Sequence, residues 1–268
     1  MLEISHHKHV ATVKLNRPEK NNAFDDKLIA KLTGAFQTID QDDAIKVMVL
    51  AAKGKHFSAG GDLSWMKRMA NYSREENLED AKKLASMLAV LNSMSKPTFA
   101  RVQGAVYGGA VGLVSCCDLV VASNDAKFRL SEVKIGLIPA TISPYVIAAI
   151  GQRQTRRYAL TAEVFDATRA HEMGLVSEVC DVNELDEVVH TFIKQCLNNS
   201  PQALSKTKEL LRKVAQLPLS EELSEMTSQQ IADIRVSSEG QEGLTAFLEK
   251  RQPSWIKSDN KNKSNEED

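Results

Sequence analysis

An apolar strand, Thr98-Phe99-Ala100-Arg101-Val102, runs into Gln103-Gly104-Ala105-Val106-Tyr107-Gly108-Gly109, and the chain then continues as small and apolar residues that fit only a closely packed helix. A helix opening at Gly108 and Gly109 leaves its first N–H groups without intrahelical partners and brings the positive end of its dipole there. Glycine has no Cβ, so a ligand atom can come within hydrogen-bond distance of the backbone at that point. The same residues also read as tight helix packing, in which small side chains only let backbones approach. The choice between the two readings rests on the rest of the chain.

A second stretch repeats the device. Residues 45–52 read as a buried strand that empties into Lys53-Gly54-Lys55-His56-Phe57-Ser58-Ala59-Gly60-Gly61-Asp62-Leu63, with a helix from about Ser64. Two such loops can offer two backbone donors to one oxygen. Before them, Leu2–Ser5 and Val10–Leu15 alternate as strands about a turn at His6-His7-Lys8-His9, and residues 25–40 place Leu28, Ile29, Leu32, Phe36 and Ile39 at helical spacing. Strand, helix, strand is the order of a parallel crossover. The three histidines invite a metal reading, but no Cys, Asp or Glu at ligand spacing accompanies them and a polar hairpin tip accounts for them. We expect no metal.

A helix over Ala81–Leu91 leads to the central strand. Beyond it, Leu119–Ala122 and Ala126–Leu130 read as strands and Ser131-Glu132-Val133-Lys134-Ile135-Gly136-Leu137-Ile138-Pro139 follows. Glu132 lies among apolar residues at a strand-to-helix junction, where partial desolvation raises a carboxyl pKa as a proton-transfer group requires. An ordinary carboxylate at a helix start is the alternative. After a short strand at Val176–Val179 the pattern is helical, over Leu185–Leu197, Ala203–Val214, Glu221–Arg235 and Glu239–Lys250. The charged tail, 257–268, lacks apolar residues and reads as disordered.

With 268 residues, 43% of them hydrophobic, and no apolar run of bilayer length, the chain reads as a soluble unit with a core of its own. A formal net charge of −1 supplies no broad field for nucleic acid or an anionic membrane, so neither is expected as a partner. The start lacks a secretory pattern, and the four cysteines form neither a disulfide framework nor a metal pair, which points to the cytoplasm.

In their order, the two glycine loops and the Ser131–Pro139 segment strongly resemble the enoyl-CoA hydratase/isomerase (crotonase) family. The resemblance extends to Phe247-Leu248-Glu249-Lys250-Arg251. It implies an α/β fold, a crotonase-like spiral of ββα repeats over residues 1–195, with a C-terminal helical trimerisation region over 196–256. It implies trimers or pairs of trimers and an acyl-CoA thioester substrate, with coenzyme A present only as part of that substrate and no other cofactor. On this resemblance Gly61 and Gly109 form an oxyanion hole, and Glu132 is the acid/base. Lys55, Ala59, Gly60, Asp62, Leu63, Tyr107, Gly108, Pro139, Phe247 and Lys250 are expected to line the thioester and CoA sites.

One departure matters. Hydratases resembling this chain commonly carry a first glutamate at the position of Gly112, so Glu132 stands alone here. Isomerases of the family have one glutamate, whereas Tyr107–Leu113, Ser131–Val133 and Ala140-Thr141-Ile142-Ser143-Pro144-Tyr145-Val146 together resemble the bacterial methylglutaconyl-CoA and isohexenylglutaconyl-CoA hydratase branch. The expectation is therefore hydration, with isomerisation as the alternative. Lys67, Arg68 and Lys134 are candidates to hold the second carboxylate of such substrates. A non-catalytic acyl-CoA or RNA-binding protein is the alternative of another class, supported only by Arg153, Arg156, Arg157, Lys82 and Lys83, which read more simply as solvated faces.

Overall fold

The computed structural model describes residues 1–256; the tail at 257–268 lies outside the described residues. The chain separates into two units, one spanning Met1–Phe192 and one beginning at Ile193.

The first unit opens with a hairpin of β1 (Leu2–His7) and β2 (Val10–Leu15), paired from Leu2 opposite Leu15 to His7 opposite Val10. The turn is shorter than the sequence suggests. His6 and His7 belong to β1, and only Lys8 and His9 reverse the chain, Lys8 in the left-handed region at φ 51°. Helix α1 (Asp26–Gln41) buries Leu28, Ile29, Leu32, Ala35, Phe36 and Ile39, the stripe set by its helical period. It returns the chain to β3 (Val47–Ala52), parallel to β2 and buried throughout, as a strand covered on both faces must be.

Helix α2 (Leu63–Met69) and α3 (Arg74–Ser93) follow. The latter begins seven residues before the expected Ala81, because Ser73 and Glu76 form a reciprocal capping box at its start. Its first half is largely exposed, so no apolar period marks it; only Met87, Leu88 and Leu91 are buried. Then come β4 (Thr98–Val102), β5 (Ala105–Tyr107) and α4 (Gly109–Ser115), next β6 (Leu119–Ser123) and β7 (Lys127–Arg129), and a 3-10 turn over Glu132–Ile135. Helix α5 (Ser143–Thr161) is interrupted at Gly151, at φ 74°. The short β8 (Phe165–Asp166), α6 (Ala167–Glu172) and β9 (Glu178–Cys180) complete the unit before α7 (Leu185–Leu197) leads into the second.

The strands form two sheets. The larger has the order β1-β2-β3-β4-β6-β9 and is parallel from β2 onward, and the smaller has the order β5-β7-β8. Each turn of chain thus lays one strand in the large sheet, a short strand in the small one, and then a helix or helical turn. Two isolated parallel bridges, Phe24 to Gly61 and Ser58 to Val106, extend the small ladder to the earlier turns. The segments that start α1, α2 and α4 are therefore tied side by side through their backbones.

The second unit carries α8 (Pro201–Val214), α9 (Glu221–Val236) and α10 (Ser238–Leu248), each capped by a serine, Ser200, Ser220 and Ser237. Glu239 accepts from the Ser200 hydroxyl and the Gln202 amide, which fixes α10 against the start of α8. Leu219, Phe247 and Leu248 are exposed. Among the described residues no helix is long and apolar enough to cross a membrane.

Candidate active site

The two glycine loops meet. The Ser58 amide donates to Ala105 O at 3.0 Å, and the Tyr107 amide donates to Ser58 O at 3.0 Å. Gly104 leaves no room for a side chain: a Cβ there would lie 2.7 Å from His56 Nδ1 and collide with the Lys55 carbonyl. Asn22, buried, donates to the carbonyls of Lys53 and His56, and the His56 ring accepts from the Ala105 amide. These bonds lock the first loop onto the second.

At the heads of the loops lie two backbone donors. Among the described residues neither the Gly61 N–H nor the Gly109 N–H has a hydrogen-bond acceptor. For Gly109 this follows from its place as the first residue of α4. For Gly61 it follows from the bridge to Phe24, which uses the carbonyl of Gly60 and the amide of Asp62 on either side and leaves the amide between them free. The Phe24 ring reaches the second donor as well, since a Cβ on Gly109 would sit 3.9 Å from Phe24 Cδ2.

Glu132 opens the 3-10 turn, and its carboxylate lies against the same glycines. A Cβ on Gly108, which sits at φ 56°, would be 3.3 Å from Glu132 Oε1. The other oxygen, Oε2, is buried and has no hydrogen-bond partner among the described residues. Burial pushes the carboxyl pKa above the ordinary glutamate value, with the amides of Glu132 and Ser131 acting the other way. A desolvated carboxylate with an unused oxygen, lying against the glycine that precedes Gly109, can accept or deliver a proton.

Gly112 is packed shut. A Cβ there would lie 2.8 Å from Ile142 Cβ and nearer still to Ile142 Cγ2, with Leu88 Cδ2 at 3.6 Å. Both side chains are fully buried. The space beside α4 where a carboxylate would project is thus filled by Ile142, one residue of the Ala140–Val146 segment that the sequence marks as distinctive.

The other expected residues fall as follows. Gly60, at φ 102°, packs beside the Tyr107 carbonyl, and Asp62 is buried as the N-cap of α2, accepting from the Ser64 and Trp65 amides. Tyr107 and Pro139 are half-buried, and the Pro139 carbonyl accepts from Ser143. Leu63 is 75% exposed beside the first loop, and Ala59 and Lys55 are exposed on it. Phe247 and Lys250 belong to the second unit, at the end of α10 and just after it, both exposed. Lys67 and Lys134 are exposed, whereas Arg68 pairs with Asp26 at 2.5 Å. Arg157 is bound to Glu163 and Lys82 to Glu79.

Nothing in the sequence pattern marks Arg17. It is 8% exposed, and its guanidinium binds Asp25 at 2.6 Å and Asp62 at 3.1 Å. Burial alone would raise the Asp62 pKa, but Lys20, bonded at 3.0 Å, and the Ser64 and Trp65 amides outweigh it and hold the carboxyl at about 2. No local spacing signals a pair separated by 45 residues.

Two free amides at the heads of the loops can stabilise charge on a carbonyl oxygen, and a desolvated carboxylate against Gly108 can move a proton. Residues 5–258 match the enoyl-CoA hydratase/isomerase family, and the chain belongs to that family. In structure it resembles an enoyl-CoA hydratase from Shewanella pealeana, at 45% identity and a TM-score of 0.93, over 95% of each chain. In sequence it is 30% identical to the 2,3-dehydroadipyl-CoA hydratase of Escherichia coli, over 95% of this chain and 98% of the relative. It is also 27% identical to a trans-2-decenoyl-[acyl-carrier-protein] isomerase of Streptococcus mutans, over 92% of this chain and 94% of the relative. The crotonase fold expected from the sequence is thereby shown, with its C-terminal helical region.

Proposed function

We propose that this protein is an enoyl-CoA hydratase that adds water across the 2,3 double bond of an acyl-CoA thioester. The observation that carries the reading is the Glu132 carboxylate lying against Gly108, the neighbour in the chain of Gly109 with its free amide, while its buried oxygen has no partner among the described residues. The thioester oxygen takes the Gly61 and Gly109 amides. As the water oxygen bonds to C3, the C2–C3 π electrons shift through C1 onto the thioester oxygen to give the enolate, and Glu132 takes the proton released by the water. The enolate then collapses as Glu132 returns a proton to C2. Each fixed donor contributes about 3 kcal/mol to the charged transition state, by comparison with other oxyanion holes. Lys55 is proposed to meet the CoA phosphates, and Phe247 and Lys250 the nucleotide of a neighbouring subunit's CoA, with Ala59, Gly60, Asp62, Leu63, Tyr107, Gly108 and Pro139 around the thioester.

For the acyl group we propose a methylglutaconyl-like chain with a second carboxylate. The similarity to a hydratase named for a dehydroadipyl thioester supports an acid-bearing substrate. Assembly into trimers or pairs of trimers is part of the same reading, supported by the exposed Leu219, Phe247 and Leu248.

Turnover of a 2-enoyl-CoA in heavy-oxygen water must place the label in the 3-hydroxyacyl product. Glu132→Gln is expected to lower kcat by at least about a hundredfold while acyl-CoA binding persists; full turnover in that variant removes the assignment. A second reading is double-bond isomerisation, favoured by the packing of Ile142 over Gly112, which leaves Glu132 to work without a neighbouring carboxylate. Conversion of a 3-enoyl to a 2-enoyl thioester, without label from water in a hydroxyacyl product, would select it.

A further inference from the structure

Arg17 and Phe24 lie outside the chemistry described above, yet the geometry around Gly61 runs through both. The Gly60 carbonyl and the Gly61 N–H belong to one planar trans peptide and point in opposite directions. The Phe24 amide donates to that carbonyl at 2.8 Å and so sets where the Gly61 N–H points. The next peptide is held by the same residue, since the Asp62 amide donates to Phe24 O at 2.7 Å. Gly61 has no side chain to anchor it and Gly60 sits at φ 102°, so these two bonds are its main restraint.

Arg17 grips both sides of this bridge. Nη1 donates to Ala23 O at 3.3 Å and to Asp25 Oδ2 at 2.6 Å, flanking Phe24, while Nη2 donates to Asp62 Oδ2 at 3.1 Å, next to Gly61. Helix capping does not require it. Asp25 caps α1 through Oδ1 and the Leu28 amide, and Asp62 caps α2 through Oδ1 and the Ser64 and Trp65 amides. The oxygens bound to Arg17 are the second ones, so the guanidinium adds a cross-link between two segments already capped. A planar fork can span three acceptors in fixed directions, which an ammonium on a flexible stem cannot.

We infer that Arg17 is a positioning residue for the oxyanion site: through the Phe24 backbone it fixes the direction of the Gly61 amide. The inference rests on the proposed role of that amide. A misdirected donor loses transition-state stabilisation more than ground-state binding, so kcat should fall with little change in KM.

The test uses the full chain with Arg17→Met, Arg17→Lys and Asp25→Asn. Asparagine at 25 keeps the α1 cap through Oδ1 and puts an Nδ2 donor where Oδ2 accepts from Arg17, so the charge and that hydrogen bond are both lost. The readouts are kcat and KM with 2-butenoyl-CoA, the melting temperature, and the infrared stretch of an isotope-labelled thioester carbonyl in bound butanoyl-CoA. In the unaltered protein the carbonyl stretch should drop on binding, and in Arg17→Met most of that drop should disappear as kcat falls about tenfold or more. Arg17→Lys should not restore it, and Asp25→Asn should lie between. Folded variants that keep the full drop and kcat, or that raise KM alone, overturn the inference. If Arg17→Met does not fold, Asp25→Asn decides by the same readouts. Absence of any drop in the unaltered protein overturns the proposed role of the Gly61 amide itself.

Discussion

Replacing Gly112 by alanine adds one methyl group at the point where α4 meets Ile142. That Cβ would stand 2.8 Å from Ile142 Cβ and nearer still to its Cγ2. Both atoms belong to the branched root of a buried side chain, so relief requires movement of the Ile142 backbone. Overpacking of this kind costs about 1–3 kcal/mol, and the severity of the contact puts the gross penalty near about 3. Alanine in place of glycine within a helix returns about 1 kcal/mol, leaving a net loss of about 2 kcal/mol. Ile142→Ala alone should cost about 2–5 kcal/mol, as truncation of a buried aliphatic side chain does. In the double variant the closest contact is gone, so the two losses should fall short of additivity by about 1–2 kcal/mol. Urea denaturation of the four proteins measures the cycle. A Gly112→Ala protein as stable as the parent, or strictly additive losses, would refute the packing account of why no carboxylate stands at 112.

Gly108→Ala should lower kcat more than it lowers stability: φ 56° costs a non-glycine residue about 1–3 kcal/mol, and the new methyl, 3.3 Å from Glu132 Oε1, pushes the carboxylate away. Steady-state kinetics beside a thermal melt check this. The Glu132 pKa is raised in the folded state, so its contribution to stability is present below the ordinary value of 4.5 and is lost as pH rises through the folded value. Glu132→Gln should therefore melt higher than the parent near neutral pH and lose that advantage in acid, while a constant difference would count against the burial account. Asp62 has the opposite sign: held at about 2 from an ordinary 3.8, it stabilises the fold above 3.8, and that contribution fades as pH falls toward 2. Asp62→Asn should flatten the acid limb of the stability curve over that window, as denaturation followed from pH 4 downward would show.

Much of the local structure could be read from residues alone. Buried faces repeat with the period of their element, which gave α1 and the fully apolar β3, and a glycine pair after a strand gave the start of α4. The exposed first half of α3 has no such period, so apolar spacing places its start at Ala81 rather than at the Ser73 and Glu76 capping box. The turn at Lys8 and His9 was misjudged because histidine suits a strand edge as readily as a loop.

The sequence by itself therefore determined which segments become strand, helix and donor-bearing loop, since those depend on neighbours along the chain, and its ordered motifs pointed to the family. Tertiary structure alone decided that Phe24 clamps Gly61, that Arg17 reaches Asp62 and that Ile142 closes the space over Gly112. Those contacts join residues tens of positions apart. They arise from the stacking of successive turns into two sheets, and no periodicity within a single turn encodes which side chains that stacking brings together.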